Sequence, residues 1–148
     1  MLHARSYEQP FDGDLQLDIF QEVRRLWPGI LLFNGGVYTP EKAKEVLAAT
    51  KADGLGIARG AWGKPWLFSQ IKQYLTTGTY DSPTWEAIKQ VMLRHAQLAL
   101  AHKNDYGLIE LRKHLGWYTK GRPNASDLRA KLVRVSALDE LTAILANA

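Results

Sequence analysis

The sequence predicts an α/β segment over residues 1–81 followed by an all-α segment over 82–148. One pattern marks the first. The apolar run Ile30-Leu31-Leu32-Phe33 stops at Asn34-Gly35-Gly36, and a second short run, Leu55-Gly56-Ile57-Ala58, stops at Arg59-Gly60-Ala61. Between them Thr39-Pro40-Glu41 offers a cap, a first-turn proline and a first-turn acid, with Ala43, Val46 and Leu47 following at helical spacing. Two apolar runs joined by a crossover helix make parallel strands. A change of pattern marks the second segment: beyond Ser82 every periodic stretch is helical. Size adds a third constraint. A (β/α)8 barrel takes about 250 residues, whereas this chain has 148 and offers two convincing strands before its helical half. The expected architecture is therefore an incomplete (β/α)8 (TIM) barrel portion followed by a small helical bundle. Such a chain is either the C-terminal piece of a longer enzyme or associates with whatever supplies the missing strands.

Each element has its own signal. Residues 1–13 read as a loop, with Met1-Leu2 as the stub of a strand that would leave His3 and Arg5 at its carboxyl end. Asp14 is expected to cap a helix burying Leu17, Ile19, Phe20, Val23, Leu26 and Trp27, which Pro28-Gly29 ends. Pro65 suits the start of a helix burying Phe68, Ile71 and Leu75, with Gly78 just past its end. In the second half, Ser82-Pro83 opens a helix burying Ile88, Val91, Met92, His95 and Leu98. A second helix carries Leu108, Leu111 and Leu115. Asn124 opens a third with Leu128 and Leu132, and Ser136 with Asp139 a fourth with Leu138, Leu141, Ile144 and Leu145.

Composition excludes whole classes of chemistry. There are no cysteines, so disulfides, thiolate metal sites and cysteine nucleophiles are all ruled out within this chain. His95 and His102 share a helix face, but no carboxylate completes a metal site, so no metal is expected. No run approaches the roughly 18 apolar residues of a membrane span, and Met1–Pro10 lacks the apolar core of a signal peptide. A cytoplasmic location is expected. The net charge of +4 is uneven: residues 1–83 carry nine Lys/Arg against nine Asp/Glu, while residues 84–148 carry ten against six. The helical half is the basic half, which fits either solvated helix faces or a patch for a polyanion such as RNA.

Chemistry collects at the strand ends. Glycines there let the backbone approach a ligand, and turned-in N–H groups ahead of a helix can hold a phosphate, with Arg59 as an always-charged clamp. The same turns also occur in α/β proteins that bind nothing. Trp62 and Trp66 beside this loop read as packing residues or as pocket walls. In the helical half, Arg112 to Pro123 interleaves cations with aromatics: Arg112, Lys113, Lys120 and Arg122 could hold phosphates while Trp117 or Tyr118 packs inside or stacks on a base.

Taken together, HARS, ILLFNGG, PEKAKEVL, ADGLGIARGAWGKPWLF and RKHLGWYTKGRPNASDLR, in this order, resemble the tRNA-dihydrouridine synthases over essentially the whole chain. The resemblance implies an FMN-binding TIM-barrel portion over residues 1–81 and a helical tRNA-binding domain over 82–148. It also implies NADPH as reductant and reduction of uridine to 5,6-dihydrouridine in tRNA. Carried over by position, His3 would contact the flavin, Asn34, Gly35 and Gly36 would sit at its phosphate end, and Ala58, Arg59 and Gly60 would complete that site. Arg5, with Arg112, Lys113, Lys120 and Arg122, would face tRNA. Two departures stand out. Ala58 occupies a position where the family usually has glycine, and the catalytic cysteine and flavin-side lysine belong to a barrel half that this sequence does not contain. The chain is therefore expected to carry no catalytic residue, to be inactive alone, and to risk self-association through an exposed barrel edge. The other readings are a non-catalytic RNA-binding module and a different phosphate-binding TIM-barrel flavoenzyme that shares only the glycine turns.

Overall fold

A computed structural model describes residues 1–10 and 12–148; Phe11, inside the expected N-terminal loop, lies outside the described residues. The chain is mixed α/β, mostly helical, and divides into two compact units, Met1–Asp81 and Ser82–Ala148.

The first unit is built on three short parallel strands, β1 (Leu2–His3), β2 (Leu32–Asn34) and β3 (Gly54–Gly56), in that spatial order. The stub at Leu2 is thus a paired strand, with Leu2 opposite Phe33 and His3 opposite Asn34. Across the other side, Leu32, Phe33 and Asn34 face Gly54, Leu55 and Gly56. Strands this short supply few ladder hydrogen bonds, so side chains at both ends fix their register. At the amino end the Asp53 N–H donates to the Leu31 carbonyl at 2.8 Å, while the Asp53 carboxylate accepts from the Leu31 N–H at 2.7 Å and from Arg24 at 2.6 Å. At the carboxyl end the Asn34 side-chain amide donates to the Gly56 carbonyl at 2.7 Å.

Helices α1 (Asp18–Leu26), α2 (Pro40–Thr50) and α3 (Leu67–Thr77) complete this unit. Helix α2 starts as its sequence signals, the Thr39 hydroxyl accepting from the Lys42 N–H at 3.2 Å with Pro40 in the first turn. Helix α1 starts later than expected. Its cap position is Leu17, not Asp14, because the preceding residues are drawn along the strand end by a Gln16 N–H bond to the Ala4 carbonyl at 2.8 Å. Phe20 is fully buried, its ring 4.8 Å from that of Phe33, but Leu26 and Trp27 are exposed. Trp27 covers Gly29 instead of the core. In α3 the buried stripe is Leu67, Gln70 and Ile71, whereas Phe68 and Leu75 face outward. Ala4, Leu31, Phe33, Val37, Ala43 and Val46 fill the rest of this core.

The second unit holds α4 (Trp85–Tyr118), α5 (Ala125–Leu132) and α6 (Leu138–Ala146). Helix α4 contains both of the first two expected helices. They reverse at Asn104, whose φ of 51° and ψ of −149° are non-helical, and the arms lie back on each other. His95 meets Tyr118 across them, and a Cβ added at Gly107 would run into the Ala99 carbonyl, so only glycine permits so close an approach. The caps differ from expectation: Thr84 caps α4 by accepting from the Ala87 N–H at 3.2 Å, and Asn124 makes no side-chain cap. Before α6, Glu140 rather than Asp139 reaches back, accepting the Ser136 N–H at 2.8 Å. Met92, Ala96, Leu108, Leu115, Leu132, Leu141 and Leu145 form the core, while Leu98 stays about half exposed at 51%.

The hydrogen bond from the Leu31 N–H, aided by Arg24, holds the Asp53 carboxyl below the usual carboxylate range. A depressed carboxyl contributes stability above its unfolded value, and that contribution is lost as pH falls through the folded one. Asp53→Asn should therefore lower Tm by a few degrees at pH 7. The gap between variant and parent should begin to close as pH falls below about 4 and vanish only below the depressed folded value, where the parent carboxylate is neutral too, as followed by circular dichroism melts.

Candidate functional site

The three strands end side by side, and their parallel sense brings the loops that follow them to one place. His3, Asn34, Gly35, Gly36, Ala58, Arg59 and Gly60 all line a single small cavity of about 40 Å³, together with Val37, Tyr38, Gly56 and Ile57. The last four carry no site signal of their own beyond lying within two residues of one of the glycine turns.

Backbone geometry explains the residue types. Gly35 and Gly36 have φ of +126° and +67°, values that side-chain-bearing residues rarely adopt. Gly60 is needed for space: a Cβ there would run into the Val37 carbonyl oxygen. Ala58 behaves otherwise. Its φ is negative, at −109°, but its ψ of −95° lies outside both the helical and the extended regions. Asn34 spends an amide N–H on Gly56 and so holds two strand ends together. At His3, the Arg5 N–H lies 3.1 Å from Nδ1. Arg59 is half-buried at the cavity edge. A cavity of this size matches the oxygens of a phosphate, not a ring system, and glycine-lined backbone beside a guanidinium is suited to an anion.

The residues expected to face tRNA occupy separate settings. Arg5 belongs to the first unit, where its Nε donates to the Gly13 carbonyl at 2.6 Å, and its Nη1 is buried with no hydrogen-bond partner among the described residues. In the second unit, the Arg112 Nε donates to the Val135 carbonyl at 2.8 Å, which ties α4 to the segment before α6. The Arg122 guanidinium lies over the Trp85 ring, 3.7 Å from its centroid. Lys113 and Lys120 are exposed. Tyr118 is an inward-facing residue and does not offer a face to a base: it is buried, its hydroxyl is 3.1 Å from His95 Nδ1, and burial pushes its pKa up to about 12. Trp117 is half-buried, edge-on to His114 at 4.7 Å.

Parallel strand ends closing on a glycine-lined cavity bordered by arginine define the class, an α/β protein with a candidate site at its strand ends. The family is fixed by comparison. The model of the dihydrouridine synthase (Dus) family matches residues 1–148, and the chain belongs to that family. It is 34% identical over 148 residues to tRNA-dihydrouridine synthase B of Pseudomonas putida, covering 99% of this chain and 43% of that protein. It is 35% identical over 150 residues to a probable tRNA-dihydrouridine synthase of Mycobacterium leprae, covering 97% and 38%. With tRNA-dihydrouridine synthase B of Vibrio vulnificus it shares 37% identity over 139 residues, covering 92% and 43%. The chain thus spans about two fifths of the length of these curated relatives. No helix among the described residues is long and apolar enough to cross a membrane.

Burial lowers the pKa of His95, so its neutral form is the one the fold favours. Protonation then costs stability: the second unit is most stable above the unfolded value near 6.5 and weakens as pH falls below it. His95→Gln keeps a polar partner for Tyr118 but does not titrate. Its melting temperature should change less than the parent's between pH 7 and pH 5, as read by calorimetry.

Proposed function

We propose that this chain contributes the FMN phosphate site and a tRNA platform to a flavin-dependent tRNA-dihydrouridine synthase, which reduces uridine to 5,6-dihydrouridine in tRNA with NADPH as reductant. One observation carries the reading: in a member of this family, His3, the Asn34-Gly35-Gly36 turn and the Ala58-Arg59-Gly60 turn converge on one phosphate-sized cavity. Residues 1–81 are then the C-terminal portion of an FMN-binding TIM barrel. The three adjacent parallel strands with their crossover helix support this, and the outer sides of β1 and β3 are where further strands, or another copy of the chain, would pair.

In this reading Gly35, Gly36 and Gly60 would let the backbone close on the phosphate, Arg59 would balance its charge, and His3 would contact the flavin. When bound, FMN supplies the hydride-transfer chemistry. Residues 82–148 form the tRNA-binding domain, with Lys113 and Lys120 presented to phosphates. Arg112 and Arg122 reach them with whatever donors their contacts to Val135 and Trp85 leave over. The location is cytoplasmic and no metal takes part.

The chain contains no cysteine to act as general acid, so by itself it should not reduce uridine. Dihydrouridine formed from purified chain, FMN, NADPH and unmodified tRNA would contradict this. The basic excess of residues 84–148 supports one competing reading, an RNA-binding module built on those helices alone that holds no flavin. FMN titration separates the two.

Arg59→Ala should weaken FMN binding by on the order of 1.5–3 kcal/mol, tenfold or more, and leave the salt dependence of tRNA binding unchanged. Lys120→Ala should leave FMN binding intact and reduce the slope of log K against log salt by roughly 0.7–0.9. If the two substitutions affect tRNA binding equally, the division of labour between the units is wrong.

A further inference from the structure

A larger cavity, about 570 Å³, opens between the arms of α4 in the second unit, remote in sequence from the strand-end turns. Its volume lies within the range of roughly 300–1,000 Å³ typical of small-ligand sites. Two kinds of surface meet there. Leu98 and Leu111 give apolar walls, and His95 and His114 add imidazole rings set edge-to-face at 5.8 Å. Burial lowers the pKa of both rings, which favours their neutral form. Around this core lie His102, Lys103, Glu110 and Lys113. Lys103 and Glu110 pair with each other at 2.5 Å and cancel. Lys113 forms no salt bridge among the described residues, so the cavity is left with net positive character.

We infer that this groove receives one unpaired nucleotide of a single-stranded RNA segment, its base against Leu98, Leu111 and the two imidazoles and its phosphate on Lys113. The inference rests on the reading of residues 82–148 as a tRNA platform and gives that platform a defined pocket. A planar heteroaromatic ring matches walls that are apolar and aromatic, and an adjoining phosphate matches the lysine at the rim. A metal does not fit, since no cluster of three or more ligating side chains occurs among the described residues. The excess of ten Lys/Arg over six Asp/Glu in residues 84–148 draws RNA toward this half in particular.

The test uses the whole chain and a single-stranded oligouridylate, with inorganic phosphate and a glutamate-rich peptide as separate arms. Long-range 1H–15N spectra of the imidazoles should show saturable shifts of His95 and His114 with the oligonucleotide and none with phosphate at equal concentration. Leu98 is about half exposed, at 51%, so Leu98→Ser should fold normally. That variant should bind the oligonucleotide about fivefold more weakly with an unchanged salt slope, because it removes part of a stacking wall and no charge. Lys113→Ala should lower the slope by roughly 0.7. Unmoved imidazole resonances at saturation, or wild-type binding by Leu98→Ser while Lys120→Ala still weakens tRNA binding, would sink the groove and leave the platform standing. Equal shifts with phosphate alone, or preference for the peptide, would exclude a nucleotide as the occupant. Failure of any RNA to bind would remove the platform together with its pocket.

Discussion

The Asp53 carboxylate is the contact on which the first unit depends. Strands of two or three residues cannot set their own register, and a one-residue slip would turn every side chain to the wrong face. By accepting from the Leu31 N–H while its own N–H donates to the Leu31 carbonyl, Asp53 pins β3 to β2 at one point, and Arg24 draws α1 to the same oxygen. Everything downstream follows from that pin. Phe33 falls opposite Leu2 and Leu55, under Phe20, and Asn34 falls opposite both His3 and Gly56.

The register lock and the cavity are thereby placed at opposite ends of the sheet. The amino ends carry the register lock, and the carboxyl ends, closed only by the Asn34 amide, carry the turns. This leaves the loops around the cavity free to use backbone conformations that would be costly elsewhere, as at Gly35 and Gly36. The second unit solves the same problem differently. Its groove is held by packing between helix arms, with Gly107 against Ala99 and the Tyr118–His95 hydrogen bond at its base.

Local signals were legible in the sequence and distant ones were not. The strand runs, the Thr39-Pro40 start of α2 and the turns at Gly35-Gly36 and Gly60 are each written in neighbouring residues. Parallel topology alone then brings their side chains to one cavity. The start of α1 was misread because Asp14 is a good cap in isolation, whereas the bond between Gln16 and Ala4 holds that segment along the strand end. Periodicity also overstated burial: Leu26, Trp27, Phe68, Leu75 and Leu98 sit at apolar positions of helical patterns yet remain on the surface. Along Arg112–Arg122 the sequence shows cations and aromatics interleaved but not their directions. Tyr118 turns inward to His95, and Arg112 and Arg122 engage Val135 and Trp85, partners far away in the chain. No neighbouring residue announces such pairings.

The reversal at Asn104 has a mechanical consequence. A single residue with φ of 51° and ψ of −149° does the work usually given to a loop, in a region of backbone space that asparagine enters only under load from its surroundings. There is accordingly no slack between the arms of α4. A loop would let them part by small adjustments spread over several torsions. Here the separation of His95 from His114 and of Leu98 from Leu111 is geared to one pair of angles, so widening the groove means unwinding helix on one side of Asn104 and breaking its hydrogen bonds. The spacing of those walls is therefore set by the backbone at Asn104.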